Sequence, residues 1–224
     1  MNKRILVVAA HADDETFGMG GTIARHSARG DEVHVLFLTD GIGSRGADAA
    51  AAERRVHAAR SACERLGATI TRVFDFPDNA LDSVPLLSIV QAIESVKLEF
   101  VPECVYTHHG GDLNIDHRLC CQAVLTAFRP QPGEVCRQIL SFEVNSSTEW
   151  THPSVAPPFF ADTYVDVSPY RSRLIEACHC YVEELRPDPH ARSLRALEIS
   201  LERRGREVGL IAAEAFMTLR RILC

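Results

Sequence analysis

Residues 5–10 form an unbroken apolar run, Ile5-Leu6-Val7-Val8-Ala9-Ala10, that stops abruptly at His11-Ala12-Asp13-Asp14-Glu15. A run of this length, partly β-branched and closed by polar residues, predicts a strand buried on both faces of a parallel sheet. Behind it Gly18-Met19-Gly20-Gly21 reads as a turn, followed by a helix from about residue 21 to residue 28 that Gly30 stops. The alternation then continues. Residues 33–38 predict a second strand, 47–66 a helix of good helix formers ended by Gly67, and 70–74 a third strand. A loop with Pro77 covers 75–79, residues 84–98 carry apolar side chains at helical spacing, and 104–106 read as a short strand. Strands and helices in alternation, with short connectors, imply right-handed crossovers. The expected fold is α/β and Rossmann-like, a mostly parallel sheet flanked by helices.

The last third reads differently. Residues 138–144 predict a strand, 150–158 a proline-rich loop, and 168–185 and 193–223 two helices separated by Pro187-Asp188-Pro189. A helical C-terminal elaboration on one domain spanning 1–224 is therefore expected, with no internal repeat.

Composition narrows the function classes. Apolar residues make up 46% and charged residues 24%, as in ordinary globular chains, and the net charge of −6 argues against a nucleic-acid groove, which needs clustered Lys and Arg. No apolar stretch approaches a membrane span and the first strand lacks a signal-peptide cleavage site, so the cytoplasm is the expected location. Eight cysteines without the spacing of a disulfide framework are expected to be reduced. Cys178-His179-Cys180 is read as a structural helix segment, because helix neighbours two apart face different sides. Association of several copies is left open.

Position gives the chemistry. In open α/β sheets ligands bind outside the carboxyl ends of the strands, where this chain places one imidazole and three carboxylates within five residues. Their mutual repulsion is relieved by a divalent cation, although acids that merely cap the next helix would look similar. A second cluster, Thr107-His108-His109-Gly110-Gly111-Asp112-Leu113-Asn114-Ile115-Asp116-His117-Arg118, follows the strand at 104–106. Two such loops on one sheet edge can converge. His11, Asp14 and His117 would supply the three ligands of a Zn²⁺ site with an open position, and the adjacent Asp13 could take a proton from a water. For Asp116-His117, a helix cap followed by a surface histidine is the plainer possibility.

These two motifs, with Gly20-Gly21-Thr22, Thr39-Asp40-Gly41, Arg54 and Pro77-Asp78-Asn79, closely resemble the PIG-L (LmbE-like) zinc-dependent N-deacetylases. The resemblance implies zinc held by His11, Asp14 and His117, Asp13 as general base, and an N-acetylated amino sugar or sugar conjugate as substrate. Two positions depart from the family pattern. Ala12 stands where proline is usual, and Asn114 stands where many members carry a histidine three residues before the metal histidine. An amide donates a hydrogen bond but cannot act as an acid. The acid role then falls to Asp13, with His108 next. Asp13, Asn114, Asp116 and His108 are the catalytic candidates. Arg54, Asp112, Glu143, Trp150, His190 and Arg192 are the candidate substrate contacts, with the segment 141–150 as a wall for a sugar ring. Two other readings remain. One is a Mg²⁺-dependent phosphohydrolase using Asp13 and Asp14, and the other a nucleotide-binding module whose glycine turn holds a pyrophosphate.

Overall fold

In the computed structural model, which describes residues 2–39, 41 and 49–223, the first apolar run is β1 (Arg4–Ala9), an interior strand of a seven-stranded sheet. Asp40 and Ala47, both named above, lie outside the described residues. β2 (Glu32–Phe37) and β3 (Thr69–Val73) lie to one side of β1, and β4 (Cys104–His108) and β5 (Gln138–Phe142) to the other, all parallel. Two further strands, β6 (Thr163–Asp166) and β7 (Ala213–Arg221), complete the order β3-β2-β1-β4-β5-β7-β6, with β7 antiparallel to both neighbours. The α/β expectation holds: a mostly parallel sheet flanked by helices.

Alternation along β1 divides the core. Ile5, Val7 and Ala9 face α1 (Asp14–Ala28) and α2 (Ala49–Leu66), whereas Leu6, Val8 and Ala10 face α3 (Leu86–Phe100) and α4 (Ile115–Ala127). Each of these side chains is fully buried, which is why the run carries no polar residue. The order in which strands are added to the sheet reverses between β1 and β4, so the loops after these two parallel strands flank a switch-point crevice.

Three elements depart from the sequence reading. Helix α1 starts at Asp14, not near residue 21, because its glycines are packing positions: a Cβ on Gly18 would come 2.5 Å from Phe142, one on Gly20 2.6 Å from Leu174, and one on Gly21 2.8 Å from Val167. The helix kinks at Met19 (φ −156°, ψ 24°), and the Gly21 and Thr22 N–H groups freed there donate to the Glu214 carboxylate of β7 at 2.8 and 2.6 Å. Residues 168–185 yield only the short helix α5 (Arg171–Cys178), with single 3-10 turns on either side.

The long helix expected over 193–223 is instead α6 (Leu194–Glu207) followed by β7. The chain turns at Gly209, whose φ of 76° suits glycine, and folds back until Leu210 O and Ala212 N sit 2.8 Å from where a Gly205 Cβ would be. No helix of the described residues is long and apolar enough to cross a membrane. The seven described cysteines are free. His179 Nδ1 donates to the Ile175 carbonyl, which agrees with a structural reading of Cys178-His179-Cys180.

Candidate metal centre

Asp13 ends the β1 loop in a backbone conformation that L-residues rarely adopt, φ 139° and ψ −30°. Its N–H donates to Glu15 Oε2 (3.0 Å), and Glu15 is in turn gripped by the hydroxyls of Thr16 and Tyr181. Burial pushes the Glu15 carboxyl up to about 7, against the pull of those two hydroxyls. The tight turn sends Asp13 and Asp14 in different directions. Asp14 Oδ2 lies 3.1 Å from His11 Nδ1 and 3.3 Å from His117 Nε2, and it also accepts the His11 backbone N–H.

Each histidine is aimed from behind. His11 Nε2 donates to Asp116 Oδ2 (3.0 Å), with Asp78 Oδ1 3.3 Å away, so Nδ1 is the nitrogen turned toward Asp14. His117 Nδ1 lies 3.2 Å from Asp112 Oδ1, so Nε2 points to the same place. His117 Nε2 is buried without a hydrogen-bond partner among the described residues. Left to each other, the groups settle their charges by protonation. Burial would lower both imidazoles, but Asp116 and Asp14 raise His11 to about 10, and Asp14 and Asp112 raise His117 to about 9. Burial alone would raise Asp14, yet His117, His108 and His11 hold it well below the usual carboxylate range. Carboxylates that demand positive charge, and a buried imidazole nitrogen that faces a carboxylate without a well-formed hydrogen bond, are what a divalent cation fits. His11, Asp14 and His117 could hold it. A second set, His11 with Asp78 and Asp116, shares the His11 ring.

Several candidate residues have other work here. Asp116 is fully buried and accepts the N–H groups of Asn79 (2.7 Å) and Leu81 (3.0 Å) besides His11, so it orients a ligand and does not face substrate. Asp112, expected to touch substrate, accepts from Ser147 and Thr148 hydroxyls and from the Asn114 N–H while it holds His117. Nor can His108 serve as an acid: its Nε2 accepts the Ala10 N–H (2.9 Å), and burial and His117 push its pKa well below the usual value. Its ring stacks on His117 at 3.9 Å. Asn114 caps α4, its Oδ1 accepting the Asp116 N–H, and one amide N–H donates to Asn79.

The candidate wall at 141–150 divides. Glu143 is taken up by Arg204 through two 2.7 Å bonds, while Ser147 and Thr148 support Asp112. Trp150 is 53% exposed and packs edge-on against His190. Arg54 is at the surface, paired with Glu183; its neighbour Arg55 is the one in the site. Arg55 Nη1 donates to the Ala12 carbonyl (3.0 Å) and to Asp13 Oδ2 (3.3 Å), and Nη2 to the Gly41 carbonyl and Glu184. Arg192 reaches the same Asp13 oxygen and the same Glu184 from the other side, at 3.3 and 3.2 Å. Burial and the Asp14 charge raise Asp13, and Arg192 and Arg55 oppose them.

Sequence reasoning thus missed Arg55 and Glu184, named Asp78 without a role, and read Ser147 and Thr148 as substrate wall instead of support for Asp112. For Arg55 a signal existed. It shares the helical stripe of Ala59, Ala62, Cys63 and Leu66, all buried, where an arginine has no reason to be without partners.

A cavity of about 140 Å³ opens over these groups, lined by His11, Asp13, Arg55, Asp78, Asn114 and Arg192 among others. A larger groove of about 710 Å³ lies behind Arg55 and Glu184, and none of the ligand side chains lines it. The glycines of α1 are buried against Phe142, Leu174 and Val167, so no turn is left to hold a pyrophosphate.

Fold and site together define an α/β protein with a buried His/Asp cluster at its switch point that could hold a metal. The chain belongs to the PIG-L family: the family model described as GlcNAc-PI de-N-acetylase matches residues 6–128. It is 32% identical over 168 residues to the 1D-myo-inositol 2-acetamido-2-deoxy-alpha-D-glucopyranoside deacetylase of Rhodococcus erythropolis, a match that takes in 59% of this chain and 57% of that enzyme. A probable N-acetyl-alpha-D-glucosaminyl L-malate deacetylase 2 of Bacillus cereus is 25% identical over 204 residues, 86% of this chain and 90% of its own. The crystal structure of the conserved protein TT1542 from Thermus thermophilus superposes with a TM-score of 0.74 at 26% identity, covering 99% of this chain and 97% of that one.

Proposed function

We propose that this chain is a zinc-dependent N-deacetylase that removes the acetyl group from an N-acetylated amino sugar or sugar conjugate, releasing acetate and a free amine. One observation carries the reading. Asp14 stands between two imidazole nitrogens aimed at it, and the adjacent Asp13 is turned away from that set toward the cavity. Two imidazoles suit zinc better than magnesium, which favours oxygen shells, and this weighs against a phosphohydrolase.

A zinc ion held by His11, Asp14 and His117 would polarise the acyl carbonyl and make a water acidic. The residues do the rest. Arg55 and Arg192 both bond Asp13 Oδ2, which fixes the carboxylate and leaves Oδ1 to take the water proton. A raised carboxyl is the better proton acceptor, and the same group returns the proton to the departing amine, since neither His108 nor Asn114 can act as the acid. The remaining amide N–H of Asn114 is a neutral donor for the carbonyl oxygen as it gains charge.

The cavity is smaller than the ~300 Å³ of ordinary ligand clefts, so it holds the acetamido end while the rest of the conjugate lies outward, toward Trp150 and His190. We read residues 1–224 as one domain working in the cytoplasm. The test is acetate release from a panel of N-acetylated sugars and glycosides by protein of measured metal content. Acetate release that tracks zinc is expected; a fully active protein with bound magnesium and no zinc would overturn the reading.

A further inference from the structure

Two guanidinium groups border the cavity, and they are committed to different extents. Arg55 is 6% exposed, and both Nη atoms are fully engaged: Ala12 O and Asp13 on Nη1, Gly41 O and Glu184 on Nη2. It is a built-in strut. Arg192 has a side chain 23% exposed, and it lines the cavity on a segment outside the sheet. Its Nε donates to Ser146 Oγ (2.7 Å), and its Nη1 to Asp13 and Glu184. Its backbone N–H donates to His190 Nδ1, so the arm is held at both ends. Among the described residues Nη2 takes no hydrogen-bond partner.

The charge around that nitrogen says what it can bind. Asp13, Asp14, Asp78, Asp116 and Glu184 stand around the site against Arg55 and Arg192, so even with a divalent ion the region carries no positive excess to attract an anionic substituent. A neutral oxygen that accepts from Nη2 and can donate to a carboxylate such as Asp78 fits better. A ring hydroxyl is such an oxygen.

We propose that Arg192 is a specificity-determining residue whose Nη2 donates to one hydroxyl of the sugar ring beside the acetamido group. This rests on the deacetylase reading for its substrate class but not for its geometry. A hydrogen bond from a charged donor corresponds to about a ten- to hundredfold effect on binding.

The test is a cycle between residue and hydroxyl. Acetate release is measured on methyl 2-acetamido-2-deoxy-α-D-glucopyranoside and on its 3-, 4- and 6-deoxy analogues, with the zinc-loaded wild type, Arg192→Met and Arg192→Lys. Binding of the corresponding free-amine glycosides is measured by calorimetry on the same proteins. One deoxy analogue is expected to lose about ten- to hundredfold in kcat/KM with the wild type, chiefly through KM, and to lose nothing more with Arg192→Met. Arg192→Lys, which keeps the charge, recovers part of the preference. Equal losses on all four substrates would make Arg192 a support for Asp13 alone and overturn the proposal, as would a wild type blind to every hydroxyl. If the amines bind with this dependence on Arg192 but no acetate is released, the deacetylase reading fails and this one stands. If Arg192→Met does not fold, the Arg192→Lys arm decides.

Discussion

Asp13, before α1, and His117, in the first turn of α4, meet in one site, and opposite means hold them. Behind His117 the support is a chain of directional hydrogen bonds: Asp112 takes the ring, and Ser147, Thr148 and the Asn114 N–H take Asp112. Beside Asp13 the support is a square of charge, in which Arg55 and Arg192 each bridge Asp13 and Glu184. A ligand nitrogen must have one tautomer and one direction, which hydrogen bonds impose at little cost to stability. A proton carrier must keep its charge balanced as it changes protonation, which a buried ionic cluster does better. The two supports should therefore fail in different ways.

The largest effect is expected at the proposed ligand itself. His117→Ala should lose bound metal and more than about a thousandfold in kcat/KM, read by metal analysis and acetate release. Asp13→Asn should keep its metal and lose about 10²–10⁴ in kcat; full activity in this variant would remove Asp13 as the base. Next comes the square. Glu184→Ala leaves Arg55 buried without one of its two carboxylates and should lower the unfolding free energy by about 3–5 kcal/mol in urea titrations, with metal content unchanged. Thr148→Val should do the reverse, weakening metal binding about 10- to 100-fold in chelator competition while costing only about 1 kcal/mol of stability. If Thr148→Val instead destabilised as much as Glu184→Ala and held metal normally, the contrast between the two supports would collapse.

The same contrast explains what could be read in advance. The two polar loops were legible because β1 and β4 are buried on both faces, so their ends show as sharp changes from apolar to polar residues. Arg55 was one residue away from the position chosen, and the buried stripe of α2 would have corrected it. Glu184 left no such trace. It sits in a turn beyond α5 and becomes part of the site only because α5 packs on α1 and α2. Strand β7 was misread for a different reason. Ala213-Glu214-Ala215-Phe216-Met217 are mostly good helix formers, and the extended state is imposed by β5 on one side and β6 on the other. Local preference gave way to a pairing that no short window can display.

Glu214 of β7 ties the Gly21 and Thr22 amides across 193 positions of chain, and Tyr181 reaches Glu15 across 166. During synthesis the loop at 11–15 is made well before the residues that brace it. A growing chain can assemble β1 through β5 as each emerges, but the kinked helix behind Asp14 acquires its final geometry only when the closing strand slots in beside β5. The order of manufacture thus delays the finished site until β7 is available, so a copy that stops short of it holds the right residues without the shape that uses them.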